Sequence, residues 1–148
     1  MKEFVLDANA LVGFFRKRDG AAKIRELLIQ ADKKQVSLRI SVVNLAEVLY
    51  VSARYSTLDE ARRAIHTVQG LVEFESPDTE QALAAAEIRS RYKLGLADCF
   101  AAELAMRTGA TLVTSDPEFA KLGKQLKVLA LPRHSDHREQ GIGAGGVK

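Results

Sequence analysis

Short apolar runs alternate with helical stretches along most of the chain, and this alternation limits the fold more than any other feature. The runs typical of strands are EFVL, VSLRIS, LVEFE, ATLVTS and LKVLAL, and residues with helical character separate each from the next. Neighbouring strands joined through helices are parallel, because antiparallel neighbours need only a short turn. The sequence therefore predicts an α/β fold, a three-layer sandwich with a central parallel sheet of about five strands and helices on both faces.

The intervening segments carry helix signals of two kinds. The segment STLDEARRAIHTVQG has Thr57 and Glu60 at the spacing of a capping box, and Gly70 ends it. Two other segments, VVNLAEVLYVSARY and LADCFAAELAMRTG, are apolar almost all round. A helix of that composition belongs in a protein interior, so we expect both to be buried. The first helix is predicted over ALVGFFRK, and DPEFAKLGK is predicted as a short helix before the last strand.

The chain length fits one folded domain followed by a tail. Of 148 residues, 47% are hydrophobic, which is enough for a core. The sequence after Pro132 is polar and then rich in glycine, without periodicity. We expect residues 1–132 to form the domain and residues 133–148 to form a flexible tail.

Charge and cysteine content exclude some classes of protein. The net charge of +3 is compatible with a polyanionic partner but does not identify one. Cys99 is the single cysteine, so an internal disulfide is impossible, and a reducing cytoplasmic location is expected. The longest apolar stretch, ISVVNLAEVLYV, is too short to cross a bilayer, so no membrane association is expected.

Four acidic residues stand apart from the charged helix surfaces. Asp7 and Asp116 follow the first and fourth predicted strands, whereas Glu47 and Asp98 lie in the two apolar helices. The carboxyl ends of parallel strands share one edge of the sheet, where ligands bind in α/β folds. We therefore expect Asp7 and Asp116 to stand on that edge.

Glu47 is the acid that most needs a partner. A buried unpaired charge costs several kcal/mol, and no Lys or Arg lies within the apolar run around it. Oxygen ligands select hard divalent cations such as Mg²⁺ or Mn²⁺. Clustered carboxylates retain protons without a metal, so a metal-dependent activity that rises with pH is expected.

Each acid also has an ordinary structural explanation, which the local sequence leaves open. Asp7 or Asn9 could cap the first helix, and Asp116 could cap the helix that starts at Pro117. Asp98 could be a cap or pair with Arg89 or Lys93. Glu47 could form an ion pair. Their shared placement is what favours a common site. Other chemistry is weaker: His134 and His137 lack a third ligand nearby, and LDANALVG has neither phosphate-binding glycine pattern.

The segments FVLDANALV, SVVNLAEVLY and LGLADCFAAELAMRTGATLVTSDPEF together resemble a PIN domain, most closely the VapC-type toxins of prokaryotic toxin-antitoxin pairs. The resemblance covers residues 1–132. It implies that Asp7, Glu47, Asp98 and Asp116 are the catalytic acids and the ligands of Mg²⁺ or Mn²⁺. It also implies that Asn9 and Ser115 are supporting polar residues.

The resemblance further implies an endoribonuclease that cleaves phosphodiester bonds of RNA with metal-activated water. It implies a homodimer and inhibition by a cognate antitoxin protein. The basic runs Arg16 to Arg18 and Arg89 to Lys93 are candidates for an RNA-binding rim, although each side chain could simply be solvated surface. The alternatives are a housekeeping RNA-processing PIN nuclease and a PIN-like module that binds RNA or protein without cutting.

Overall fold

A computed structural model describes residues 1–133. In chain order its elements are β1 (Lys2–Leu6), α1 (Ala8–Phe15), α2 (Ala21–Asp32), β2 (Val36–Ser41), α3 (Val42–Tyr55), α4 (Leu58–Val68), β3 (Val72–Glu75), α5 (Thr79–Arg91), α6 (Leu96–Thr108), β4 (Thr111–Thr114), a 3₁₀ helix (Pro117–Gln125) and β5 (Lys127–Ala130). Apart from Arg133, the predicted tail lies outside the described residues, as do His134 and His137.

The five strands form one parallel sheet in the order β3-β2-β1-β4-β5. The predicted α/β sandwich is confirmed. The chain first builds outward from β1 through β2 to β3, then crosses back to place β4 on the other side of β1. In such a sheet the crevice where ligands bind opens at the strand pair where the direction reverses. Here that pair is β1 and β4.

Helices cover both faces of the sheet, and adjacent residues of the central strands point to opposite faces. Leu6 and Val113 join the hydrophobic core formed mainly with α1, α2 and α3. Val5 and Leu112 join a second core with α5, α6 and the 3₁₀ helix. Strands buried on both faces are apolar without interruption, which explains the short continuous runs in the sequence.

Two predicted helices differ from expectation. Helix α1 begins at Ala8 rather than Ala10, because Asp7 caps it directly. The prediction that α3 is a buried helix is wrong: its fully buried residues form one stripe, and Tyr50 and Tyr55 are 53% and 58% exposed. Its partners α1, α4, β2 and the start of α6 contact one side and leave the other in solvent.

Helix α6 follows the prediction of a buried helix. Most residues from Cys99 to Ala105 are fully enclosed between α5 and the sheet, and Gly109 ends the helix with a φ of 71°. That left-handed conformation suits glycine. Among the helices of residues 1–133, none has the length and apolar character needed to cross a membrane.

Candidate active site

Asp7 lies at the carboxyl end of the central strand β1 and is almost completely buried, with 1% of its surface exposed. Its backbone amide donates a 3.0 Å hydrogen bond to Val113 of β4, so the backbone pairing continues one residue past the strand. Its side chain then caps α1, and Oδ1 accepts a 2.7 Å hydrogen bond from the Ala8 amide. The cap explanation is therefore correct, but it uses only one of the two carboxyl oxygens.

The second oxygen of Asp7 is bound by Thr114, the last residue of β4. The Thr114 hydroxyl donates a 2.7 Å hydrogen bond to Asp7 Oδ2 and accepts a 2.9 Å bond from the Asp116 amide. One buried hydroxyl thus connects the acids that follow β1 and β4. Thr114 carries no sequence signal that would mark it as a site residue. Parallel register pairs Leu6 with Val113, which sets Thr114 beside Asp7, and a single sequence does not reveal that register.

Asp116 and Asn9 complete this edge of the sheet. Asp116 Oδ1 accepts a 2.9 Å hydrogen bond from the Glu118 amide and so caps the 3₁₀ helix. Asn9, in the first turn of α1, is exposed, and its Oδ1 lies 3.4 Å from the Thr114 hydroxyl and 3.5 Å from the Ser115 amide. Both distances are long for hydrogen bonds. Ser115 contacts Asn9 through its backbone.

The other two acids come from helices that meet at the same edge. Asn44 on α3 donates a 3.0 Å hydrogen bond from Nδ2 to the carbonyl of Ala97, the residue before Asp98. Glu47 is three positions further along α3 and so shares the Asn44 face, while Asp98 lies in the first turn of α6. Asn44 is fully buried, and its Oδ1 has no hydrogen-bond donor within residues 1–133.

Electrostatics show that the four carboxyl groups act on one another. The pKa of Asp7 is raised to about 7: burial raises it most, the charges of Asp98 and Glu47 also raise it, and the hydrogen bonds from Thr114 and Ala8 lower it. Burial also raises the pKa of Asp98 to about 6, with contributions from Asp116 and Glu47. The pKa of Glu47 is raised by burial. Three acids of this edge therefore hold protons more tightly than ordinary carboxyl groups.

No basic side chain within residues 1–133 forms an ion pair with any of these four acids. The alternative that Asp98 pairs with Arg89 or Lys93 is therefore wrong for this part of the chain, and so is an ion pair for Glu47. By contrast, the buried Glu103 on α6 receives a 2.8 Å hydrogen bond from Arg107 and is compensated. The four acids at the sheet edge are a different case, since their charge lacks a counterion there.

The chemistry and charge of these groups fit a hard divalent cation. They include several carboxylates that repel one another, and the buried Asn44 Oδ1, which accepts no hydrogen bond within residues 1–133. The four carboxyl groups lie further apart than the ligands of a single bound ion. Within the described chain, no three Asp, Glu, His or Cys side chains are placed to hold a metal ion together. Metal binding would therefore require these side chains to converge.

Comparison with known proteins agrees with this architecture. The family model for the PIN domain matches residues 4–125, and the chain belongs to the PIN domain family. Comparison with curated protein sequences gives no match.

Several solved structures share the fold at low sequence identity. The chain is similar to VapBC2 from Rickettsia felis bound to a DNA fragment from their promoter, at 21% identity over 87% of this chain and 98% of that chain, with a TM-score of 0.69. DNA-bound VapBC from Salmonella typhimurium gives 19% identity over 88% and 98% of the two chains, with a TM-score of 0.68. VapBC-1 from nontypeable Haemophilus influenzae gives 19% identity over 86% and 97%, with a TM-score of 0.65.

Proposed function

We propose that this protein is an endoribonuclease that depends on Mg²⁺ or Mn²⁺. The observation that carries the proposal is the placement of Asp7, Glu47, Asp98 and Asp116 at the β1–β4 edge without a counterion within residues 1–133. The pKa values of Asp7, Glu47 and Asp98 are raised there. Membership of the PIN domain family supports the same activity.

Asp7, Asp98 and Asp116 are proposed to hold the cation, and Glu47 to hold it or to orient a water molecule. A divalent cation held in this position would supply charge neutralisation at the phosphate and a more acidic water for hydrolysis. Thr114 and the Ala8 amide keep the Asp7 carboxyl group in one orientation through two 2.7 Å hydrogen bonds. Asn44 holds α3 against the start of α6, which keeps Glu47 and Asp98 on the same side of the site.

Protonation decides when the acids can act. A carboxyl group must be ionised to bind a cation, and the pKa of Asp7 is raised to about 7 and that of Asp98 to about 6. The unliganded site therefore loses affinity for a cation as the pH falls below 7. Activity should rise with pH across this range, as the clustered acids of the sequence predict.

We further propose that the protein is the toxin of a toxin-antitoxin pair, acts in the cytoplasm as a homodimer and is inhibited by a cognate antitoxin. The support is the likeness of its fold to several VapBC structures. A housekeeping RNA-processing nuclease would have the same chemistry and a different effect in the cell. Expression of the parent chain arrests growth if the protein is a toxin, whereas Asp98→Asn, which differs by one charge, permits growth.

RNA cleavage by the purified protein tests the proposed activity. Single-stranded RNA is incubated with Mg²⁺, with Mn²⁺ or with chelator, using the parent, Asp7→Asn, Asp98→Asn and the exposed control Asp32→Asn. We expect metal-dependent cleavage by the parent and the control, and losses on the order of a hundredfold or more for the two site variants. Equal cleavage by all four proteins, or cleavage unaffected by chelator, would refute the proposal.

A further inference from the structure

A cavity of about 160 Å³ opens at the β1–β4 edge, next to the end of the candidate site that carries Asp7 and Asp116. Asn9 and Ser115, which stand at the edge of the acidic site, also line this cavity, whereas none of the four acids does. Its other walls are formed by the end of α1, by Arg18 and Gly20 of the α1–α2 connection, and by the chain after β5, with Val12, Arg16 and Leu131 among them. The cavity thus adjoins the candidate active site through Asn9 and Ser115 and is chemically different from it.

The polar walls of the cavity suit an anion and a hydrogen-bonding ligand. The guanidinium of Arg16 lies 3.3 Å from the centre of the ring of Tyr55, a residue of the neighbouring cavity that shares Arg16 and Arg18 with this one, and it has no carboxylate partner within residues 1–133. An arginine held against an aromatic ring in this way keeps its hydrogen-bond donors available to a phosphate. The Asn9 side chain contacts Thr114 and Ser115 through Oδ1, and within residues 1–133 its nitrogen donates no hydrogen bond.

The remaining walls are apolar. Ala10, Val12 and Leu131 are buried hydrophobic residues, and Gly13 leaves the α1 side of the cavity without a side chain. A site with apolar walls, two arginines and a few hydrogen-bonding groups matches the parts of a nucleotide, namely a flat base, a ribose and a phosphate.

We propose that this cavity binds one nucleotide of single-stranded RNA, adjacent to the phosphodiester that is cleaved. The proposal rests on the proposed ribonuclease function and adds a place where the substrate is held. Arg16 binds the phosphate of that nucleotide, Asn9 and Ser115 contact its polar edge, and Val12 and Leu131 pack against the base. A base in a duplex cannot enter a cavity of this kind, so the protein selects unpaired RNA.

Gly13 allows the cavity to be filled without a change of charge. A Cβ atom added at Gly13 would meet only the Cβ of Arg18, at 3.7 Å, which is an ordinary van der Waals distance. Gly13→Ala is therefore tolerated and serves as the matched control, and it also favours the helix. Gly13→Leu projects three further carbon atoms into the space that the nucleotide would occupy.

The test is binding of a labelled single-stranded RNA, measured by fluorescence anisotropy in chelator so that cleavage cannot interfere. We expect Gly13→Leu to bind about tenfold more weakly than Gly13→Ala, since one stacked base contributes a factor of that order. Equal RNA binding by the two variants would overturn the proposal and leave the cavity to a protein segment. Thermal unfolding of both variants shows whether each is folded.

A second variant tests the phosphate contact without relying on the Gly13 variants. Arg16→Gln should reduce the slope of log Kd against log salt by about 0.7, the amount for one phosphate contact to single-stranded nucleic acid. The control Lys2→Gln removes one exposed positive charge at the start of β1, on the opposite edge of the sheet, and should leave the slope unchanged. Equal slopes for the two variants would contradict the Arg16 assignment.

These measurements separate the two proposals. If the parent binds RNA and Gly13→Leu does not, but no RNA is cut with Mn²⁺, the ribonuclease proposal fails while the cavity binds RNA. If the parent cuts RNA and Gly13→Leu has the same KM and the same affinity, the nucleotide site fails and the ribonuclease proposal stands. A raised KM with little change in kcat supports the site, since the acids are untouched.

Discussion

The Thr114 hydroxyl donates a 2.7 Å hydrogen bond to Asp7 Oδ2 at the junction of the two central strands. Thr114 is 1% exposed, and its hydroxyl oxygen also accepts a hydrogen bond from the Asp116 amide. The hydroxyl proton is therefore the one donated to Asp7. A hydrogen bond to a carboxylate favours the charged form, whereas burial favours the neutral form. Thr114 therefore keeps the pKa of Asp7 lower than burial alone would set it.

Replacement of Thr114 by valine, which has the same shape, should raise the pKa of Asp7 above about 7. It should also lower the free energy of unfolding by about 1–3 kcal/mol, because a buried carboxyl oxygen and the Asp116 amide lose their partner. The pH profile of RNA cleavage should move to higher pH. Thr108→Val is the control, since its hydroxyl bonds only to carbonyls within α6. An unmoved profile would show that Thr114 does not tune Asp7.

The raised pKa of Asp7 predicts how the stability of the metal-free protein varies with pH. The folded state binds this proton up to about pH 7, whereas the unfolded chain releases it near 3.8. The favourable contribution is complete below pH 4 and is lost as the pH rises toward 7. For a shift of this size the loss is about 4 kcal/mol.

Asp7→Asn should remove most of that decline and make the metal-free protein more stable than the parent at pH 8. The amide can still accept the Ala8 N–H and can donate to the Thr114 oxygen, because in this variant the Thr114 hydroxyl can turn its proton toward Asn9 Oδ1. Urea unfolding in chelator at several pH values measures the effect, with the exposed Asp32→Asn as control. A parallel pH dependence for parent and Asp7→Asn would contradict the assignment of the shift to Asp7.

Two buried polar residues of α3 should respond in opposite directions. Asn44→Ala leaves the Ala97 carbonyl without its donor and should cost about 2 kcal/mol of unfolding free energy. Ser52 is also buried, and its hydroxyl has no hydrogen-bond partner within residues 1–133. Ser52→Ala should therefore be neutral or stabilising by up to about 1 kcal/mol. Equal losses of unfolding free energy from both variants, measured by urea unfolding, would show that the Asn44–Ala97 hydrogen bond does not stabilise the fold.

Much of this fold could be predicted because local signals agreed with one another. All five strands and the parallel sheet follow from apolar runs between helices, and the bounds of α3 at Val42–Tyr55 match the predicted segment. Burial of α3 could not be predicted from its composition. Tyr50 and Tyr55 are apolar in character, but which side of a helix meets its neighbours depends on tertiary packing.

The acids of the candidate site could be selected from sequence, whereas the residues that connect them could not. Asp7 and Asp116 follow apolar strands, and that position is visible in the chain. Thr114 and Asn44 act through contacts across 107 and 53 positions of sequence. Such contacts depend on strand register and helix docking, which no local pattern encodes. Asp7 also shows that a helix cap and a candidate ligand can be the same carboxyl group.

Direct titration with Mn²⁺ tests the central claim that these four acids form a divalent metal site. Calorimetry in two buffers of different ionisation heat gives both the affinity and the number of protons released on binding. With the pKa of Asp7 at about 7 and that of Asp98 at about 6, binding should release about one proton at pH 6.5 and almost none at pH 8.5. Asp98→Asn should bind far more weakly, while the exposed control Asp32→Asn should bind as the parent does. Absence of Mn²⁺ binding by the parent, or binding at pH 6.5 that releases no proton, would contradict the account.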